Sequence, residues 1–251
     1  MMRKALYTAS FRLFILCLIA MSLALTAAAE NIVQIGDGTW DVGWINDTVY
    51  HDRRAQLIYL GDEVGRTGEI SSIAVHCSET PGRTLSDWTI RMQSTDLTHF
   101  AGSYEWIATD WTICYQQDSP RSAWPADEWI TFDLETPFTY SSTDQNLMVD
   151  FCFNNSAWTY NGGVYATHVG SDPTDRRVFY YMDDSHFGDD PLAWGSEATP
   201  WGYTDTRLPN VRLGFSGDAQ PSGESPEAAT WLLLACTGLS GLFARRRRRT
   251  G

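Results

Sequence analysis

Four carboxylates bracket one short loop, with Asp183 and Asp184 before Ser185-His186-Phe187-Gly188 and Asp189 and Asp190 after it. Oxygens gathered on a glycine-containing turn suit Ca2+, which takes roughly six to eight of them. The spacing is not that of an EF-hand, and an acidic surface carries such loops without a ligand, so Ca2+ is the sole cofactor the sequence brings up. The histidines, His51, His76, His99, His168 and His186, form no His-x-His and no His-Glu-x-x-His, which leaves zinc without local support. No Gly-x-Ser-x-Gly elbow occurs, and no cysteine stands in a protease signature. A glycosidase needs two carboxyls across a cleft, about 5 to 10 Å apart. Among 31 acidic residues no pair stands out. No catalytic residue is identified, and a non-enzymatic protein is expected, with a secreted glycan-active hydrolase as the alternative.

Aromatic and sulfur side chains complete the inventory. Trp40, Trp44, Trp124, Trp158, Trp194 and Trp201 fall in loop-like stretches. Exposed there, such rings stack on sugars or anchor a protein partner; turned inward, they plug the ends of a core. Cys77 alternates in step with Ile73 and Val75, which predicts a buried thiol. Cys114 alternates against Trp111, Ile113 and Tyr115, and Cys152 against Phe151 and Phe153. Both are therefore expected on wet strand faces, where a Cys114–Cys152 disulfide would join them in an oxidising compartment.

The elements that must position these residues read almost entirely with period two. Ile73, Val75 and Cys77 alternate with Ala74 and His76, and Trp88, Ile90 and Met92 with Thr89, Arg91 and Gln93. Ile130, Phe132 and Leu134 alternate with Thr131 and Asp133; Leu147, Val149, Phe151 and Phe153 alternate with Met148, Asp150, Cys152 and Asn154. Residues 32–35, 55–60, 111–116, 164–169, 178–182 and 211–215 read as further strands. Alternation of this kind predicts one buried and one wet face per strand. Gly36-Asp37-Gly38, Pro81-Gly82 and Asn161-Gly162-Gly163 punctuate them as turns. The expected fold is all-β, a single antiparallel β-sandwich or jelly roll over residues 30–216.

Charge narrows the partners. All 31 acidic residues lie between Glu30 and Glu227, whereas eight of the 18 basic ones lie outside that span. The ten left are all arginine, so the middle of the chain carries a net charge of −21. Such a surface repels nucleic acid and anionic lipid, and nucleic acid is not expected as a partner.

The two ends predict export. Arg3, Lys4 and Arg12 precede an apolar run from Leu13 to Leu25, and Ala27-Ala28-Ala29 supplies small residues for signal peptidase, making 1–29 a signal peptide. Residues 217–227 form a Pro/Ser/Gly linker, and 228–251 hold a charge-free stretch from Ala228 to Ala244 followed by Arg245, Arg246, Arg247, Arg248 and Arg249. This reads as a membrane helix with a basic block on its cytoplasmic side, which leaves the middle of the chain outside.

The order Pro226-Glu227-Ala228-Ala229-Thr230-Trp231, then a Leu/Gly-rich helix, then the arginines, resembles the PEP-CTERM sorting signal. Ala228 stands where that family has its second proline. The resemblance implies a precursor held transiently in the inner membrane, cut by exosortase, and passed to the cell surface or the extracellular polysaccharide. A second resemblance, to a recurrent β-sandwich module of secreted bacterial surface proteins, spans most of residues 55–215. It is carried by Ile70 to Met92, Trp129 to Asn155 and Leu208 to Leu213, and it implies a module attached to larger adhesins and secreted enzymes, with no activity of its own. The intact mass of the mature protein, recovered from its host, is expected to begin at Glu30 and end near Glu227; a mass that retains Arg245 to Arg249 would refute the processing.

Overall fold

A computed structural model describes residues 31–102, 106–183, 190–196 and 200–217. They belong to the first of the chain's two units, Met1–Asp218; the second, Ala219–Gly251, lies outside the described residues, as do the expected signal peptide, membrane helix and sorting residues from Pro226 to Arg249. Among the described residues no helix is long and apolar enough to cross a membrane.

In chain order the strands are β1 (Asn31–Ile35), β2 (Trp40–Val42), β3 (Asp52–Tyr59), β4 (Gly68–Glu79), β5 (Leu85–Thr95), β6 (Thr112–Ser119), β7 (Trp129–Tyr140), β8 (Asn146–Asn154), β9 (Gly163–His168), β10 (Val178–Asp183), β11 (Tyr203–Asp205), β12 (Arg207–Pro209) and β13 (Val211–Ser216). One short helix, α1 (Gly61–Val64), follows β3. The strands form two antiparallel sheets packed face to face, a β-sandwich as expected. One sheet runs β11-β10-β3-β8-β5-β6; the other runs β1-β13-β4-β9-β12, with β7 also on β4 and β2 on β9.

Period-two alternation builds the core between the sheets. Ile73, Val75 and Cys77 of β4, Ile130 and Phe132 of β7, and Leu213 of β13 meet Leu57 of β3, Trp88 and Ile90 of β5, and Val149 and Phe151 of β8. Trp88 stacks on Phe151 and meets Trp124 edge-on, at ring separations of 5.5 and 5.3 Å. Burying each such side chain contributes about 1.5 to 3 kcal/mol.

The other face of the six-stranded sheet departs from the expectation of a wet surface. Thr89, Arg91, Gln93, Asp150 and Cys152 are all buried. The reason lies in two segments outside the strands: Phe100, Trp106 and Trp194 fold over Ile58, Met148 and Phe179 and form a second apolar cluster on that outer face. Trp106 Nε1 donates to the Pro200 carbonyl at 2.9 Å, which ties one covering segment to the other.

Beneath this cover sits a charge cluster dictated by strand register. Asp150 of β8 lies opposite Gln56 of β3 and Arg91 of β5, while Arg54 is one same-face step along β3. Asp150 Oδ2 accepts from Arg54 Nε at 2.8 Å, Arg91 at 2.9 Å and Gln56 Nε2 at 2.9 Å. Arg54 also donates to the carbonyls of Pro191, Trp194 and Ile107, and Gln56 exchanges hydrogen bonds with Ile107 in both directions. Each guanidinium lies over an indole of the cover, Arg54 on Trp106 at 4.8 Å and Arg91 on Trp111 at 5.1 Å. Burial alone would push the Asp150 carboxyl up; Arg54 and Arg91 outweigh it and hold the carboxyl below its ordinary value.

Replacing Asp150 by Asn strands two buried guanidinium charges, and an expected cost of about 3–5 kcal/mol follows. Urea unfolding at neutral pH measures it, and a loss under about 1 kcal/mol would contradict the role given to the cluster. The sign of the pH dependence is fixed by the same shift. With the folded-state pKa lowered, the Asp150 contribution is present above about pH 4, the ordinary carboxylate range, and is lost as pH falls below it. The gap between wild type and Asp150→Asn should therefore narrow in acid.

Candidate functional site

The chain crosses from one sheet to the other in a single step, from β11 through Thr206 to β12. Along this edge four aromatic rings make a continuous row. Trp44 stacks on Tyr180 at 4.0 Å and 28°, Tyr180 meets Tyr203 at 5.7 Å, and Tyr203 meets Trp201 at 4.9 Å. Trp44 and Tyr180 are half-buried against the main core, whereas Trp201 and Tyr203 are 47% and 42% exposed.

Each ring is held by its own local device. Trp44 lies in the segment between β2 and β3, whose backbone is pinned by Arg53: that guanidinium donates to the Gly43 carbonyl and to Asp47 Oδ2, the latter at 3.2 Å. Burial pushes Arg53 down, and the Asp47 carboxylate opposes that. Tyr180 occupies an inward position of β10, two residues after the core residue Val178. Gly202 separates the two exposed rings because a Cβ there would collide with the Phe179 ring. That close approach seats β11 and so aims Trp201 and Tyr203.

Polar groups flank the row. Arg207 lies over the Trp44 ring at 5.1 Å and grips Asp205 with two hydrogen bonds, at 2.9 and 2.7 Å. The hydrogen bonds that Asp205 accepts keep Arg207 above its ordinary range. Burial raises the Tyr180 hydroxyl to about 12, with Asp205 adding to the shift, so it remains a neutral donor. Ring faces with donors and an acceptor at their side can hold a ligand that is apolar on one face and hydroxylated at its rim.

Of the six tryptophans expected at ligand-contact positions, the structure brings Trp44 and Trp201 into this row. Trp40 stands in strand β2 rather than a loop, 56% exposed and 6.3 Å from His168. Trp158 is exposed against Tyr160, edge-on at 5.2 Å. Trp124 and Trp194 are corrections: both are fully buried, one in the main core with Nε1 on Ser119 Oγ, the other in the outer cluster, because large rings close the ends and cover of a sandwich. Sequence reading passed over Tyr180, Tyr203 and Arg207. The alternation of Val178 and Tyr180 holds the signal for the second ring of the row.

The acidic loop is described only at its margins. Residues 184–189, hence Asp184 and Asp189, lie outside the described residues, as does the side chain of Asp183. Asp190 spends an oxygen on the Leu192 amide at 2.9 Å, capping the short turn Pro191–Ala193. Among the described residues no group of three or more His, Cys, Asp and Glu side chains is arranged to hold a metal.

The Cys114–Cys152 disulfide is also corrected, since Cys77, Cys114 and Cys152 are all free and buried. Cys114 is the extra residue of a β-bulge, where Ile90 pairs with Tyr115 and Arg91 with Ile113. The bulge leaves Ile113 exposed and turns Cys114 into the core between the sheets. Cys152 faces the opposite side, beside Asp150, with β5 intervening between β8 and β6. Cys77 shares the core with Ile73 and Val75, as alternation predicts.

No known family model matches this chain, and no curated protein matches it by sequence.

Burial raises all three thiols to about 12, so the reactive thiolate is suppressed at neutral pH. Alkylation without reduction is expected to leave Cys77, Cys114 and Cys152 untouched in the folded protein and to label all three after unfolding. A bridge between any two of them in non-reduced peptide maps would contradict the fold as described.

Proposed function

We propose that this is a non-catalytic exported protein of the cell surface or extracellular matrix that holds neutral polysaccharide along the row Trp44, Tyr180, Tyr203 and Trp201. The observation that carries the reading is the unbroken ring-to-ring sequence of that row, ending in two exposed rings beside the Arg207–Asp205 pair. Sugars stack their C–H faces on such rings, and their hydroxyls meet the flanking polar groups. The −21 charge of residues 30–227 favours a neutral chain over a polyanion, because like charge slows encounter and opposes binding. Export rests on the N-terminal apolar run and on the likeness of Pro226, Glu227, Ala228, Thr230, Trp231 and Arg245 to Arg249 to a sorting signal. Signal peptidase and exosortase are then the processing partners.

The carboxylate geometry of the groove between β6 and β7 supports a binding protein over a hydrolase. That groove, about 720 Å3, carries Glu128 and Asp133. Both belong to the same wall, five residues apart in extended backbone, or about 16 Å. An acid pair of a glycosidase flanks its bond from about 5 to 10 Å. The facing wall offers Tyr115, Gln117 and Ser119, none of them a carboxylate.

Affinity electrophoresis of the full-length chain in gels cast with a neutral polysaccharide should show retardation that a polyanionic one does not produce. Trp201→Ala with Tyr203→Ala should weaken it about tenfold, in line with truncation of exposed aromatic anchors. Unaltered migration of wild type in every gel, or equal retardation of the double variant, would sink the proposal.

A further inference from the structure

The opposite edge of the sandwich has a different chemistry. Among the described residues β6 pairs only with β5 and β7 only with β4, so two edge strands from different sheets lie side by side unpaired. The 720 Å3 groove runs between them. Tyr115 and Gln117 form one wall, Glu128, Trp129 and Asp133 the other, and Phe132 lies between, meeting Tyr115 edge-on at 5.3 Å. No Lys, Arg or His lines it.

We propose that this groove receives an extended basic segment of a partner protein, added as a strand along the free edge of β7. An edge strand offers alternate N–H and C=O groups to whatever lies beside it, and an extended peptide is the ligand that matches them. Its side chains then alternate between two environments. One set meets the aromatic surface of Tyr115 and Phe132; the other, on the outer face of β7, meets Trp129 and Asp133, with Glu128 at the end of the strand. The stretch from Glu128 to Asp133, about 16 Å, accommodates roughly five or six residues.

The same features select the partner. Natural sheets guard their edges with proline, charge and bulges. On β7 the proline is Pro137, and the bulge lies where pairing with β4 jumps from Phe138 to Asp133. Both fall beyond the groove. Within it β7 itself carries carboxylate and no proline, although Pro120 and Pro125 flank the groove; the carboxylates repel a second copy of this acidic edge and attract a basic strand. Gln117 reaches Glu135 just outside the groove and ties the two edges together there, so the open stretch has a defined end.

The test is calorimetric titration of the full-length chain with a blocked six-residue peptide of alternating valine and arginine. The control replaces each valine by proline, which keeps the charge and removes those amides. Saturable one-to-one binding is expected, at least tenfold weaker for the proline control and for Glu128→Arg with Asp133→Arg. The control needs no variant, so the outcome stands even if the double variant fails to fold. Absence of saturable binding, or equal binding of both peptides, overturns the proposal. Sedimentation that finds a dimer dissolved by the two substitutions assigns the edge to a second copy and overturns it as well.

Discussion

A carboxylate buried on the outer face of a sheet is the constraint around which this molecule is arranged. Asp150 sits in the middle of β8, on the face that alternation assigns to solvent, yet it is fully buried. An ionised carboxylate can stay there only with charge and hydrogen bonds supplied to it. Arg54 and Arg91 supply the charge from the two neighbouring strands, and Gln56 adds a further donor. Both guanidiniums then need cover of their own. That need is met by carbonyls of Ile107, Pro191 and Trp194 and by the rings of Trp106 and Trp111. Ion clusters of this kind add little net stability over an apolar substitute. Register is where it weighs: a one-residue slip of β3, β8 or β5 would carry Arg54, Asp150 or Arg91 to the other face of the sheet and unpair the charges.

Closing that face decides where a ligand can approach. The six-stranded sheet is dry on both sides, so its accessible backbone and side chains are concentrated at its two edges. At one edge the crossing through Thr206 brings strand ends and the Trp44 segment together and leaves rings exposed. At the other, β6 and β7 lie side by side and leave unpaired backbone beside acidic side chains. The outer face of the second sheet remains open and holds another contact row: Trp129 is stacked on His76 at 4.7 Å, with Arg212 at 4.0 Å from its ring and Tyr165 beyond His76. There the rings and cations satisfy one another, which distinguishes that face from the Trp201 and Tyr203 end of the edge row.

The sandwich was legible because its core strands alternate without interruption. Ile73, Val75 and Cys77, or Phe151 and Phe153, can face inward in only one register, and the structure places them there. Reading failed where a second layer or a bulge intervened. Arg91, Asp150 and Cys152 look like solvent-facing residues until Phe100, Trp106 and Trp194 fold over them, a contact between residues dozens of positions apart. Cys114 faces the core against its alternation because one bulged residue inverts the pattern without leaving a mark in composition. The aromatic row was half legible: Trp44 and Trp201 were singled out, but their connection runs through Tyr180 and Tyr203, which only strand pairing between β10 and β11 reveals.

Free thiols in a protein proposed to leave the cell pose a physical question that the fold answers. An oxidising exterior joins cysteines that are exposed as thiolates and geometrically close. Here Cys77 and Cys114 are enclosed between the sheets, and Cys152 lies under the outer cover beside the Asp150 carboxylate. Burial is the largest cause of the upward shift at each, and for Cys152 the adjacent negative charge adds to it. A thiol raised in this way is a small apolar side chain, compatible with either compartment. The domain thus draws its stability from two apolar layers, with no cross-link among the described residues.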